Sequence, residues 1–359
     1  MKQKFSTLFL FLTLKVLAND GVYLSRGGQI FPIQESKISI EREELSFTVQ
    51  DKICQVRVLF EFNNPEQVER KLLVGFQAPT AVGDVSDKTS NTSQISNFSV
   101  MANGKILPFQ LKAAGCVTCE LKDPREFKFS QGEQGVFVYL FELTFKPGMN
   151  QIQHSYSFPA SSNVAYSQLY NYILTTGSKW AGGTIKKLAV DFDLGSNSYF
   201  FVNDVFGKPA NWMVIGSGKL TEKRVNNEDE SARMVRLLSG SLRIEVSNFK
   251  PVKNIAFGIV CEHSFITAAT DAEKLKAGTV YSICGLQLDN ERAYSKEVLK
   301  LLRNTIYAQY GYVFTNQEMQ SYFSQFEWYM PDPNLKLDEL ELSKQEMRFV
   351  EEISKREKE

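Results

Sequence analysis

The chain has 359 residues, 43% hydrophobic and 12% aromatic, and its 41 basic side chains balance 41 acidic ones. That balance excludes the basic face of a nucleic-acid binder and the polybasic stretch of an electrostatic membrane anchor. A chain this long can bury two or three cores unaided, and its five cysteines form no dense framework.

Residues 1–18 read as an export signal. Lys2 and Lys4 lead, Phe5 to Leu14 is apolar apart from Ser6, Thr7 and Thr13, and Val16-Leu17-Ala18 places small or β-branched residues before a cut between Ala18 and Asn19. Lys15 is the one discordant residue. The apolar run is shorter than the roughly 20 residues that cross a bilayer. No later run reaches that length, and position 19 is not a lipid-accepting Cys. The expectation is an exported chain, periplasmic or secreted, with no transmembrane segment. The cut removes Lys2, Lys4 and Lys15, leaving 38 basic against 41 acidic side chains.

From about Ile30 to Cys261 the pattern is β. In Gln55 to Phe62, Val56, Val58, Phe60 and Phe62 share one face, opposite Gln55, Arg57 and Glu61, with Leu59 the apolar exception. Val136 to Phe145, the turn Lys146 to Asn150, and the alternation Ile152, His154, Tyr156, Phe158 together predict a hairpin. Ile185 to Leu194 and Leu242 to Val246 are further strands. Ser86 to Ser96 and Asn226 to Ser231 read as exposed loops, and Asn91 and Asn97 open glycosylation sequons. Tyr166, Leu169, Tyr170, Ile173 and Leu174 recur at helical spacing before Gly177, which predicts a helical connector.

After Gly285 the pattern turns helical. Ser295 can cap a helix burying Val298, Leu301, Leu302 and Ile306. Thr315 with Glu318, and Ser343 with Glu346, form two capping boxes, and Pro331 and Pro333 separate the helices they open. The expected fold is multidomain: a mainly β, antiparallel β-sandwich part followed by a small all-α module. Its segments are a signal peptide (1–18), a β-sandwich unit (19–160), a helical connector (161–180), a second β unit separate from or part of the same sandwich (181–285), and a helical module (286–359).

The run Leu302 to Phe314, with Tyr307-Ala308-Gln309-Tyr310-Gly311 at its centre, resembles the signature of the YARHG domain, a helical module of exported bacterial proteins. The pairs Tyr322-Phe323 and Trp328-Tyr329 and an acidic final helix extend the likeness over about residues 286–357. Gln309 and Tyr310 stand where the family has Arg and His, so no cationic pair is carried over. Gly311 reads as a helix C-cap. The resemblance implies export and contact with a cell-wall or surface component. Asn19-Asp20-Gly21, His154-Ser155-Tyr156 and the run Tyr172 to Trp180 give the N-terminal part a weaker resemblance to uncharacterised periplasmic bacterial proteins.

Chemistry-bearing residues are sparse. Cys116 and Cys119 form a C-x-x-C with no helix pattern behind it, which favours a local disulfide over a redox pair. Cys261 and Cys284 flank a domain junction and form a second possible disulfide, leaving Cys54 odd. His154 lies on an apolar strand face and reads as a buried, hydrogen-bonded core residue. Cys261, Glu262 and His263 lack the further ligands a zinc site needs. No phosphate loop or nucleophile elbow is present, and no cofactor or metal is expected. The best binding candidates are aromatic: Tyr307, Tyr310, Tyr312, Trp328 and Tyr329, with Tyr310 and Trp328 foremost and most of the rest expected in the module's core. The expected function is that of an exported, non-enzymatic envelope protein whose helical module contacts a surface ligand or another envelope protein. The alternative is an envelope-polymer hydrolase with carboxylates assembled by the fold.

Overall fold

The computed structural model describes residues 26–28, 30–33, 36–78, 93–113, 137–162, 168–207, 210–227, 230–259, 288, 293–326 and 328–359. The export signal with Ala18 and Asn19, the cysteines Cys116, Cys119, Cys261 and Cys284, His263 and Asn91 fall outside these residues.

In chain order the strands are β1 (Arg26–Gly28), β2 (Ile30–Pro32), β3 (Ser39–Gln50), β4 (Ile53–Asn64), β5 (Arg70–Ala78), β6 (Ser96–Ala102), β7 (Lys105–Ile106) and β8 (Gln110–Ala113). They continue as β9 (Phe137–Phe145), β10 (Gly148–Pro159), β11 (Gln168–Ile173), β12 (Ile185–Asp193), β13 (Ser198–Asn203), β14 (Asn211–Asn227), β15 (Glu230–Phe249) and β16 (Ile255–Ile259). Twelve form one sheet in the order β1-β11-β16-β13-β15-β12-β3-β4-β10-β6-β7, with β14 paired along β15. The other four form a second sheet, β2-β5-β9-β8. Pairing is antiparallel except at β1–β11 and β3–β12, where it is parallel. Strands from both expected β units therefore share one sheet.

One apolar cluster joins the two sheets. Phe62 of the large sheet meets Phe145 of the small one with ring centroids 5.5 Å apart, and Phe76 meets Tyr156 at 4.7 Å. Trp180 closes one end, 4.4 Å from Phe62, and its indole N–H donates to the Ile30 carbonyl at 3.2 Å. Each such aromatic contributes about 1.5–3 kcal/mol through burial. The alternation in β4 holds: Val56, Val58, Phe60 and Phe62 are buried, and Gln55 and Arg57 are exposed.

Three expectations need correction. β9 and β10 exist but do not form a hairpin: β9 pairs with β5 and β8, β10 with β4 and β6. The turn between them carries the chain from one sheet to the other. Asn150 organises it, accepting from the Lys146 amide at 2.9 Å and donating to the Lys146 and Gly148 carbonyls at 2.8 and 2.9 Å. The predicted helical connector is strand β11 followed by a short 3-10 turn at Thr175–Lys179. Tyr170 faces the main core, while Leu169 packs against a second cluster on the opposite face. A strand covered on both faces has no period-two signature, so its apolar residues fall at helical spacings too. Lastly, Asn226 and Asn227 end β14, and Glu230 and Ser231 begin β15, so strand pairing runs almost to the tip of that hairpin.

Cys54 is buried and free. His154 is buried as expected, but neither ring nitrogen has a hydrogen-bond partner among the described residues. It sits among Phe60, Phe76 and Tyr156, with ring centroids 5.6–5.9 Å away. Desolvation lowers its pKa from 6.5 to about 3. The unfolded chain thus takes the proton first, and stability is lost as pH falls from about 6.5 towards 3. This residue alone is expected to cost about 2 kcal/mol between pH 7.5 and pH 5. Urea titrations at both pH values should show His154→Leu losing less stability than the wild type over that interval, and equal losses would disprove the assignment.

Candidate functional site

The C-terminal module comprises α1 (Lys296–Gln309), α2 (Gln317–Phe323) and α3 (Lys344–Arg356). Ser295 caps α1, accepting from the Val298 amide at 3.3 Å. Ser343 and Glu346 form the expected capping box on α3. At α2 the cap is Asn316, accepting from the Met319 amide at 3.1 Å, rather than Thr315. The Asn side chain reaches the same free backbone donors one residue later.

These helices are not an appended unit. Tyr199 and Phe201 of β13, with Ala232 and Met234 of β15, join Val298, Leu302, Ile306, Phe323, Trp328 and Phe349 in one cluster. Their neighbours Phe200, Val202, Val235 and Leu237 face the sandwich core. That end of the large sheet is therefore buried on both faces.

Arg236 of β15 lies in the contact between sheet and helices, 2% exposed. Its Nε donates to the Trp328 carbonyl at 3.2 Å, and its Nη1 to the Ser198 and Leu237 carbonyls at 3.0 and 2.8 Å. Nη2 donates to Asn197 Oδ1 and to the Gln309 carbonyl. These contacts use all five guanidinium donors, and every acceptor is an uncharged oxygen. Burial lowers the pKa from 12.5 to about 10, which still leaves the group charged at neutral pH. Two of the acceptors belong to the segments that carry the family resemblance, at Gln309 and Trp328. Sequence reasoning missed Arg236; the available hint was apolar residues on both faces of Ala232 to Leu238, the mark of a strand covered twice.

The nominated aromatics separate into two groups. Trp328 and Tyr329 are core, 2% and 5% exposed. The Tyr329 hydroxyl lies 2.8 Å from the Tyr312 carbonyl and 3.2 Å from Gln320 Oε1. Tyr310 is half-buried, with its hydroxyl 2.9 Å from Glu346 Oε2, which also accepts from the Ser343 amide at 2.7 Å. Burial, and then the adjacent Glu346 carboxylate, raise the Tyr310 phenol pKa. Tyr310 thus ties the end of α1 to the start of α3. Gly311 turns the chain with φ +91°, and a Cβ there would stand 2.5 Å from the Met330 carbonyl oxygen. Tyr307 and Tyr312 keep exposed surface and pack edge to face, centroids 6.5 Å apart, so the structure brings these two together at the module's surface.

A different concavity lies on the solvent face of the large sheet. A groove of about 540 Å³ crosses β3, β4, β10, β6 and β7. Ser46, Arg57, Ser99 and Ser155 line it together with Leu59, Met101 and Ile106. Its carboxylate, Glu44, is ion-paired to Arg42. A second groove of about 510 Å³ adjoins it over β12 and β15. There Arg243 pairs with Asp191 and Glu245, the latter at 2.8 Å. Among the described residues no group of three or more His, Cys, Asp or Glu is placed to hold a metal, and no helix is long and apolar enough to cross a membrane.

The YARHG domain matches residues 285–358, and a domain of unknown function (DUF4424) matches residues 18–123. No curated protein matches the chain. Among solved structures, a crystal structure described as a "putative nutrient binding protein" from Legionella pneumophila is 18% identical, with a TM-score of 0.50 over 94% of this chain and 100% of that one. That likeness shows the fold: a β-rich body with three helices near the C-terminus. The chain therefore combines a C-terminal segment similar to the YARHG domain with an N-terminal segment similar to DUF4424, on a β-rich fold shared with a solved bacterial protein.

Proposed function

We propose that this is an exported bacterial envelope protein, periplasmic or secreted, that binds a ligand rather than transforming one. The groove of about 540 Å³ on the solvent face of the large sheet carries this reading. Its volume falls within the roughly 300–1,000 Å³ of small-molecule sites. The carboxylate on its wall, Glu44, is already engaged by Arg42, an arrangement that suits recognition better than the paired free carboxylates of a glycosidase. A solved structure of the same fold described in terms of nutrient binding is compatible with this role.

Tyr307 and Tyr312 support a second contact, to a surface component or another envelope protein, because they are the nominated aromatics that are only partly buried and lie outside the Tyr310–Glu346 bond. The test uses purified residues 19–359 with fractionated envelope extract. Saturable thermal stabilisation that disappears when groove residues are changed is the expected result. Turnover of an envelope polymer, abolished by one carboxylate substitution, would replace the binding reading with the hydrolase.

A further inference from the structure

The two grooves differ in how their charges are satisfied. In the second, Arg243 is engaged by Asp191 and Glu245. In the first, Arg57 has no ion pair or hydrogen bond among the described residues, and it is exposed. Strand register sets what surrounds it. Ser46 of β3 stands opposite Arg57, Arg57 opposite Ser155 of β10, and Ser155 opposite Ser99 of β6. All four line the groove. None of the three hydroxyls makes a hydrogen bond within the described residues. Cross-strand neighbours lie about 5 Å apart, so the guanidinium is flanked by hydroxyls on both sides in a single row.

The next row on the same face is different. Leu59 of β4 stands opposite Gln153 of β10, Gln153 opposite Met101 of β6, and Met101 opposite Ile106 of β7. Leu59 and Met101 are partly exposed, and Ile106 is 78% exposed. Two residues along a strand separate the rows by about 7 Å. The groove therefore offers a cationic, hydroxyl-lined strip beside a row in which Leu59, Met101 and Ile106 supply apolar surface, with Gln153 among them and Glu44, engaged by Arg42, at its β3 end.

We propose that the groove binds a small organic anion with an apolar body, its head group held by Arg57 with Ser46 and Ser155 and its body laid against Leu59, Met101 and Ile106. This rests on the binding role proposed above and names its ligand class. A planar guanidinium donates two parallel hydrogen bonds to a carboxylate, and the flanking hydroxyls complete the donor set.

Calorimetric titration of the mature chain with octanoate tests the proposal. 1-Octanol serves as the probe without charge and acetate as the probe without a body. Octanoate should bind roughly tenfold or more tightly than either. Arg57→Gln should remove that advantage at unchanged melting temperature, and Arg243→Gln in the neighbouring groove should leave it intact. Equal octanoate affinity in the wild type and Arg57→Gln, or equal affinity of the wild type for octanol and octanoate, overturns the anion assignment and leaves the binding role standing. Failure of octanoate to bind a wild-type protein that envelope extract still stabilises likewise defeats the assignment alone. Failure of both removes the binding role as well.

Discussion

Replacing Arg236 with Ala is expected to lower the free energy of unfolding by about 3–5 kcal/mol, read as a fall in the urea midpoint. The side chain fills the contact between sheet and helices and supplies donors to the carbonyls of Ser198, Leu237, Gln309 and Trp328. Truncation leaves buried oxygens without partners, at about 1–3 kcal/mol each, partly relieved where water enters the space. Arg236→Lys keeps the charge and loses the fork, so it should recover only part of the deficit. The loss should be global: Tyr199, Phe201 and Met234 tie the helices to the sheet, and limited proteolysis should cleave the α1–α3 region and β13 together. A variant that unfolds with the wild-type midpoint, or that frays only its helices, would show that Arg236 does not join the two parts.

A second large effect is expected at a pair of facing glycines inside the β14–β15 hairpin. Gly216 and Gly240 stand opposite each other, with φ +110° and +89°. A Cβ on Gly240 would lie 1.8 Å from the Ile215 carbonyl oxygen. The clashing atom belongs to the partner backbone, so no rotamer change relieves it. Gly240 also lies where the long strand β15 changes neighbours: it pairs with β13 over Ala232 to Leu237 and with β12 over Leu242 to Phe249. Gly240→Ala combines backbone strain of about 1–3 kcal/mol with overpacking of about 1–3 kcal/mol. A destabilisation of roughly 2–6 kcal/mol is the expectation in urea unfolding, with Gly195→Ala as a control. Gly195 also has a positive φ but open space where a Cβ would stand, so it should suffer strain alone. Equal losses at the two positions would mean that the hairpin tolerates the contact.

What the sequence discloses follows from which faces are covered. β4 shows period two because its far face meets water, and it reads correctly down to single residues. The helices of the module read almost as well, because side chains such as Ser295 and Ser343 announce their starts locally. β11 and β13 are covered on both faces, and there periodicity fails. The β9–β10 turn fails for another reason: its local chemistry is that of a tight turn, but which strand pairs with which depends on residues far away in sequence. The candidate site shows the same division. The YARHG-like signature is conspicuous in sequence because it is dense in aromatics, yet Trp328 and Tyr329 are core and Tyr310 is an internal tie. The sheet groove is invisible in sequence, since Ser46, Arg57, Ser99 and Ser155 are commonplace residues that only strand register aligns.

The parallel pairing of β3 with β12 also governs the order in which the chain can fold. Ile40 lies opposite Ile185, and the register continues to Thr48 opposite Asp193. No short loop closes that pair, so its formation waits on a large loss of chain entropy, and slow folding is the expectation. Until β12 emerges, β3 has an open edge and the sheet cannot be completed. Under the export proposed above, slow closure would be an advantage, because β3 cannot complete its pairing with β12 until residue 193 has crossed.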